Sequence, residues 1–329
     1  MVHPVSRRAS LGLPALLLPA AARAQAADPL PSWQDGAAKR AMLDFVAAVT
    51  TPGGADFVPE PERIAVFDND GTLWVEQPVY TQFLFLLDRI RALAPGQPEW
   101  QQDPLFRAAI AGDLAALGAS GMAGLLKLAG AALAGNTPEE AQALAAAWLG
   151  DARDRRWGRR YTELVYQPML EVLALLRARG FTSFIVSGGG VEFVRAFAEP
   201  VYGIPPQHVV GTSFALEPGE RDGRVVLTRA PRVDFVDDGP GKPVGIARHI
   251  GRRPIAAFGN SDGDLHMLRY VTEGAGRRFG MIVRHDDAAR EYAYDRESHI
   301  GRLARALDEA PQRGWTVVSM QQDWTRVFA

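Results

Sequence analysis

The apolar run Ile64-Ala65-Val66-Phe67 breaks abruptly into the polar turn Asp68-Asn69-Asp70-Gly71. Consecutive apolar residues, partly β-branched and ended by turn formers, predict a strand buried on both faces. The residues before it read as a polar lead-in. Over residues 76–165 the pattern becomes alanine- and leucine-rich, with helical periodicity and no convincing strand. There Thr137 stands as an N-cap, Pro138 at the first helical position and Glu140 where a capping box needs it. Residues 167–180 predict another helix, with Met169, Val172, Leu173 and Leu176 on one face and Gly180 as its stop.

Beyond residue 180, strand and helix patterns alternate. Residues 181–190 read as a strand ending in a glycine loop, and 191–198 as a helix. A hairpin follows over 209–217 and 224–230, then a helix over 243–251. Residues 253–264 read as a strand entering an acidic loop, 264–270 as a helix and 279–283 as a last strand. This alternation predicts an α/β fold, a doubly wound (Rossmann-like) core around a parallel sheet. Residues 27–75 and 166–329 form that core, and the helical block 76–165 forms a cap inserted after the first strand. Ligands in such sheets bind beyond the carboxyl ends of the strands, so the candidate loops are 68–72, 187–190, 259–264 and 284–287.

The 329 residues suffice for a large apolar core. A net charge of −2 without a long basic stripe gives no case for nucleic acid as a partner. The absence of cysteine excludes disulfides, thiolate metal sites and a cysteine nucleophile. At the N-terminus Arg7 and Arg8 precede a short apolar run broken by Pro14 and Pro19, then a stretch of small residues. This looks like a twin-arginine signal peptide over residues 1–26, implying the twin-arginine export machinery, a periplasmic or secreted location and no stable membrane insertion. Loss of that segment removes Arg7, Arg8 and Arg23 and moves the net charge from −2 to −5.

Asp68 and Asp70 end the first strand one residue apart, and carboxylates that close repel unless a cation or proton intervenes. Hard oxygen ligands suit magnesium or calcium. An EF-hand register is excluded, because it would make Val66 and Gln77 ligands. Aspartate and glycine at a strand end are also ordinary turn formers, so these two residues alone do not decide the matter.

Residues 67–74, Phe-Asp-Asn-Asp-Gly-Thr-Leu-Trp, resemble the first motif of the haloacid dehalogenase superfamily phosphatases. Ser187 before three glycines, Lys242 in Gly-Pro-Gly-Lys-Pro and the loop Gly259-Asn260-Ser261-Asp262-Gly263-Asp264 follow in the order of that family. The helical insertion after the first motif is similar to the phosphoserine-phosphatase-like branch. The resemblance implies a Mg2+-dependent phosphomonoester hydrolase for a small phosphorylated metabolite. Asp68 would attack phosphorus and form an aspartyl-phosphate, with Asp70 as general acid and base. Thr72, Ser187, Gly188, Gly189 and Lys242 would hold the phosphoryl oxygens. Asp68, Asp70 through its backbone carbonyl, and Asn260 would hold Mg2+, with Asp262 and Asp264 as supporting acids. The family commonly has aspartate where Asn260 stands; an asparagine carbonyl can ligate magnesium but adds no charge.

Gly259-Asn260-Ser261-Asp262-Gly263 also fits the nucleophile elbow of serine hydrolases, with Asp286 or Asp295 and His299 following in the required order. That alternative leaves Asp68, Asp70, Ser187 and Lys242 without a role. A phosphomutase, or a non-catalytic periplasmic binding protein of the same fold, would keep the same layout. Arg153, Arg155, Arg156, Arg159 and Arg160 around Trp157 offer either an anion-binding cluster or a solvated face. His285 reads as structural, and Trp74 and Tyr80 as packing residues that could also line the cleft.

Overall fold

A computed structural model describes Met1 and residues 27–329; the expected signal peptide lies outside the described residues. Helix α1 (Ala37–Thr50) precedes strand β1 (Ile64–Phe67). Five helices follow: α2 (Thr81–Leu93), α3 (Pro104–Ala111), α4 (Leu114–Ala119), α5 (Gly121–Ala132) and α6 (Pro138–Asp151). Next come α7 (Gln167–Ala178), β2 (Thr182–Gly190), α8 (Val191–Tyr202), β3 (Val209–Arg221) and β4 (Arg224–Phe235). The chain continues with α9 (Gly241–His249), β5 (Ala256–Gly259), α10 (Leu265–Thr272) and β6 (Phe279–Asp286). It ends with β7 (Ala293–Tyr294), α11 (Arg305–Arg313), β8 (Thr316–Ser319) and α12 (Met320–Asp323).

The expected doubly wound sheet is borne out. Strand order is β4-β3-β2-β1-β5-β6-β7, with β8 also on β6; only the β3–β4 and β6–β7 pairs are antiparallel. β1 lies between β2 and β5, so chain connections leave it in opposite directions and open a crevice at its carboxyl end. Alternation along each strand separates two cores. Phe67 and Phe258 stack at 4.2 Å on one face, while Val66 and Ala257 join Ile246 and Leu268 on the other. The elements of the cap region are the helices α2 to α6, and α6 has the capping box read from Thr137 and Glu140.

Three regions differ from expectation. The lead-in contains α1, whose Met42, Phe45, Val46 and Val49 are buried, because their i, i+3, i+4, i+7 spacing makes one apolar face. The hairpin strands run on to a turn at Asp222 and Gly223, with φ of 54° and 71°, the left-handed pair a tight two-residue turn requires. β7, α11 and β8 complete the sheet beyond the last expected strand.

Candidate active site

The site begins where β1 stops. Asp68 N still donates to Phe258 O (2.9 Å), so the strand ladder fixes its backbone. The chain then folds around Asn69, whose carbonyl accepts from Thr72, Leu73 and Trp74 amides. Gly71 has φ +74°, and a Cβ there would collide with the Asn260 amide and the Glu76 carboxylate. Only glycine fits. His285 pins the same turn from behind, bridging the Gly71 carbonyl (2.8 Å) and Glu291 (3.0 Å).

Lys242, the second residue of α9, is buried and reaches three acceptors: Asp68 Oδ1 (2.6 Å), Asp264 Oδ1 (2.7 Å) and Val186 O (2.9 Å). Burial disfavours its charge, but Asp264 and Asp68 outweigh that and raise its pKa, so it remains an ammonium. Asp264 is saturated: its Oδ2 accepts from Asn260 N (2.9 Å) and Ser261 N (3.1 Å). Asp70 Oδ1 accepts from the Trp74 indole (2.8 Å), and burial raises the carboxyl above its ordinary range.

The sequence reading missed Glu76. It is buried, lines the same cavity, and accepts from Asn260 Nδ2 (2.7 Å) and Tyr294 OH (2.8 Å). Burial pushes its pKa well up, with Asp70 and Asp68 adding repulsion. The available signal was a lone acid inside the apolar stretch 73–80. Gln82, also missed, accepts the Gly190 amide (2.8 Å) at the cavity edge.

A cavity of about 130 Å³ sits between these groups and helices α2 and α5, lined by Asp68, Asp70, Gly188, Gly189 and Lys242 among the expected residues. Several others take different positions. Thr72 is buried and donates to Asn260 Oδ1 (3.2 Å), away from the lining. Ser187 is buried beneath the glycine loop and accepts the Gly189 amide (3.1 Å), so that amide is already engaged. Asp262 turns away: its Oδ1 accepts from Ala304 N (3.1 Å) and Ala306 N (2.9 Å) at the start of α11. Trp74 is buried against Phe197 and orients Asp70, whereas Tyr80 does line the cavity.

The arginine cluster is structural. Arg156 donates to Glu291 O (2.6 Å) and packs on Trp157 and Tyr292, and Arg159 donates to Ala329 O (3.1 Å). Arg153 donates to Gly158 O (3.2 Å) and Arg160 pairs with Glu163 (2.7 Å). None of the five arginines lines the cavity. The elbow reading of Ser261 also loses its partners. Its hydroxyl meets Gly263 N (3.2 Å) and Asp264 Oδ2 (3.4 Å), while Asp286 holds Ser319 (2.7 Å) and Asp295 faces Arg284 (3.3 Å).

Two buried acids, Asp68 and Glu76, and the half-buried Asp70 and Asp238 face the cavity, and Lys242 is the one cation lining it among the described residues. Burial raises the pKa of Asp68, Asp70 and Glu76, so the site favours an added cation or proton. Among the described residues no three Asp, Glu, His or Cys side chains form a closed metal cluster. Magnesium binds through one or two carboxylates, substrate phosphate and water rather than an all-protein cage. Asp68 and Asp70 line the cavity and could offer oxygens to it, whereas the expected ligand Asn260 is buried outside the lining, its Oδ1 accepting from Thr72 and keeping one lone pair.

The family described as haloacid dehalogenase-like hydrolase matches residues 65–269. The structure of a conserved functionally unknown protein from Anaerococcus prevotii DSM 20548 is similar at 16% identity, covering 84% of this chain and 88% of that one, with a TM-score of 0.53. A protein with unknown function from Bordetella pertussis Tohama I matches at 20% identity over 78% of this chain and 98% of its own, with a TM-score of 0.47. A phosphoserine phosphohydrolase-like protein from Francisella tularensis subsp. tularensis SCHU S4 matches at 16% identity over 76% and 98%, with a TM-score of 0.39. At these identities the likeness is one of fold. Among curated proteins the sequence finds no match.

Proposed function

The chain belongs to the haloacid dehalogenase-like hydrolases, and we propose that within that family it is a Mg2+-dependent phosphomonoesterase of the phosphoserine-phosphatase-like branch. The observation that carries the reading is the pairing of Asp68 with Lys242 beside a raised Asp70 on one cavity floor. A free Asp68 oxygen attacks phosphorus while Oδ1 stays on Lys242. The electrons of the breaking P–O bond pass to the leaving oxygen, which takes a proton from Asp70. Burial suits Asp70 to that task, since it favours the protonated form that a proton donor needs. The same carboxylate then accepts a proton from the water that attacks the Asp68 phosphoester, and Asp68 is released. Magnesium, held by Asp68 and the Asp70 carbonyl, would neutralise charge between nucleophile and phosphoryl group.

Arg7 and Arg8 support export through the twin-arginine machinery to the periplasm or beyond. Among the described residues no helix is long and apolar enough to cross a membrane. The partner is a small-molecule phosphate ester. Phosphate release from p-nitrophenyl phosphate by residues 27–329, with Mg2+ or EDTA and beside Asp68→Asn, tests the assignment. Turnover that needs Mg2+ and vanishes in the variant agrees with it. Turnover that survives both chelation and substitution refutes it.

A further inference from the structure

Part of the cavity lining is hydrocarbon. Phe83 and Leu86 of α2, Met122, Leu125 and Leu126 of α5, and Phe214 of β3 line it without a charged side chain among them. Lys242 is the one cation in the lining that could serve a carboxylate or a second phosphate. Lys242 is bound to Asp68 and Asp264 on the floor. The buried Arg229 lies behind the Phe214 ring, 4.5 Å from its centroid and 3.6 Å from Glu192, outside the lining. Asp238 also lines the cavity, but it stands beside Gly188 and Gly263 in the phosphate cradle and not against α5.

We infer that the group esterified to phosphate is an uncharged, apolar alcohol or phenol whose alkyl or aryl part packs against α2 and α5; the inference rests on the phosphatase reading. A charged or polyhydroxylated leaving group would lose water against these six side chains, none of which can hydrogen-bond; Tyr80, Gln82, Thr212 and Ser261 are the uncharged polar side chains elsewhere in the lining. Aryl and alkyl groups are favoured by the area they remove from water. The cavity of about 130 Å³ must hold the phosphoryl group as well, so the part beside α2 and α5 takes only a portion of an alkyl or aryl group, the rest reaching toward solvent.

The test is calorimetric binding of n-alkylphosphonates, methyl to hexyl, to residues 27–329 with Mg2+. Full burial of each methylene predicts up to about fourfold tighter binding per carbon, and partial burial about twofold. An ω-carboxyalkyl phosphonate of equal length should bind at least about tenfold more weakly than its alkyl counterpart. Leu125→Arg should flatten the alkyl series while leaving methylphosphonate in place; Met122→Lys, at a half-exposed position, repeats the test at a site that tolerates charge. An affinity that does not change with chain length, or a preference for the carboxylated or an ammonium-bearing probe, overturns the inference. Turnover separates the two readings. Hydrolysis of O-phosphoserine or phosphocholine faster than phenyl phosphate keeps the phosphatase and removes the apolar leaving group. Absence of turnover on every ester, with hexylphosphonate still bound more tightly than methylphosphonate, removes the phosphatase and keeps the apolar site.

Discussion

Removing the ammonium of Lys242 should destabilise the protein even before catalysis is considered. Lys242→Met deletes three hydrogen bonds, of 2.6, 2.7 and 2.9 Å, two of them to buried carboxylates. Charge-assisted bonds contribute about 1.5–3 kcal/mol each, but the desolvation of the ammonium offsets much of that sum. What remains is the cost of leaving Asp264 and Asp68 without their cation, about 3–5 kcal/mol. With an unfolding entropy of about 0.6 kcal/mol/K for about 300 ordered residues, the midpoint should fall by about 5–8 °C. Asp264→Asn alone should also destabilise, because Lys242 loses one of its two anions. The double variant Lys242→Met/Asp264→Asn no longer holds that mismatched pair, so it should be more stable than the two single effects add to, by about 1–3 kcal/mol. Thermal unfolding followed by circular dichroism at pH 7 reads all four proteins. Single effects below about 1 kcal/mol, or additivity within about 0.5 kcal/mol, would refute the coupling of Lys242 to Asp264.

Asp237 is fully buried without a side-chain hydrogen-bond partner, and burial lifts its pKa from 3.8 to about 7. Its protonated form is thus favoured on folding, so this contribution is full below pH 3.8 and is lost as pH rises through about 7. Asp237→Asn should therefore gain up to about 4 kcal/mol at pH 8 and almost nothing at pH 4, measured by urea unfolding at both values. Asp262→Ala removes the cap of α11 and should cost about 0.5–2 kcal/mol, while kcat on p-nitrophenyl phosphate stays within about twofold; a collapse of Mg2+ affinity would return Asp262 to the site. Gly71→Ala forces a Cβ onto Asn260 and Glu76 at a left-handed φ, so activity should fall by at least about a hundredfold with a lowered melting midpoint. Glu76→Gln should weaken Mg2+ binding, read by titration calorimetry, since one of the four acids lining the cavity is neutralised; unchanged affinity would show that Glu76 does not share the site's charge.

The sequence by itself determined the elements whose signal is local. The apolar run into Asp68, the glycines that end β2 and the helical block after β1 each rest on neighbouring residues, and alternation of strand and helix then implies a parallel sheet. α1 was legible too, through the spacing of Met42, Phe45, Val46 and Val49, but its polar flanks obscured it. What the sequence left open are the partners of polar side chains. Asn260, Asp262 and Asp264 lie within one short loop and look interchangeable as ligands. The tertiary structure separates them, sending Asp264 to Lys242, Asp262 to α11 and Asn260 to Glu76. Glu76 meets Asn260 and Tyr294 across 184 and 218 residues of chain, a pairing no local pattern encodes. The reason is physical. Backbone conformation responds to near neighbours, whereas the fate of a buried charge depends on every group that packing brings within a few ångströms of it.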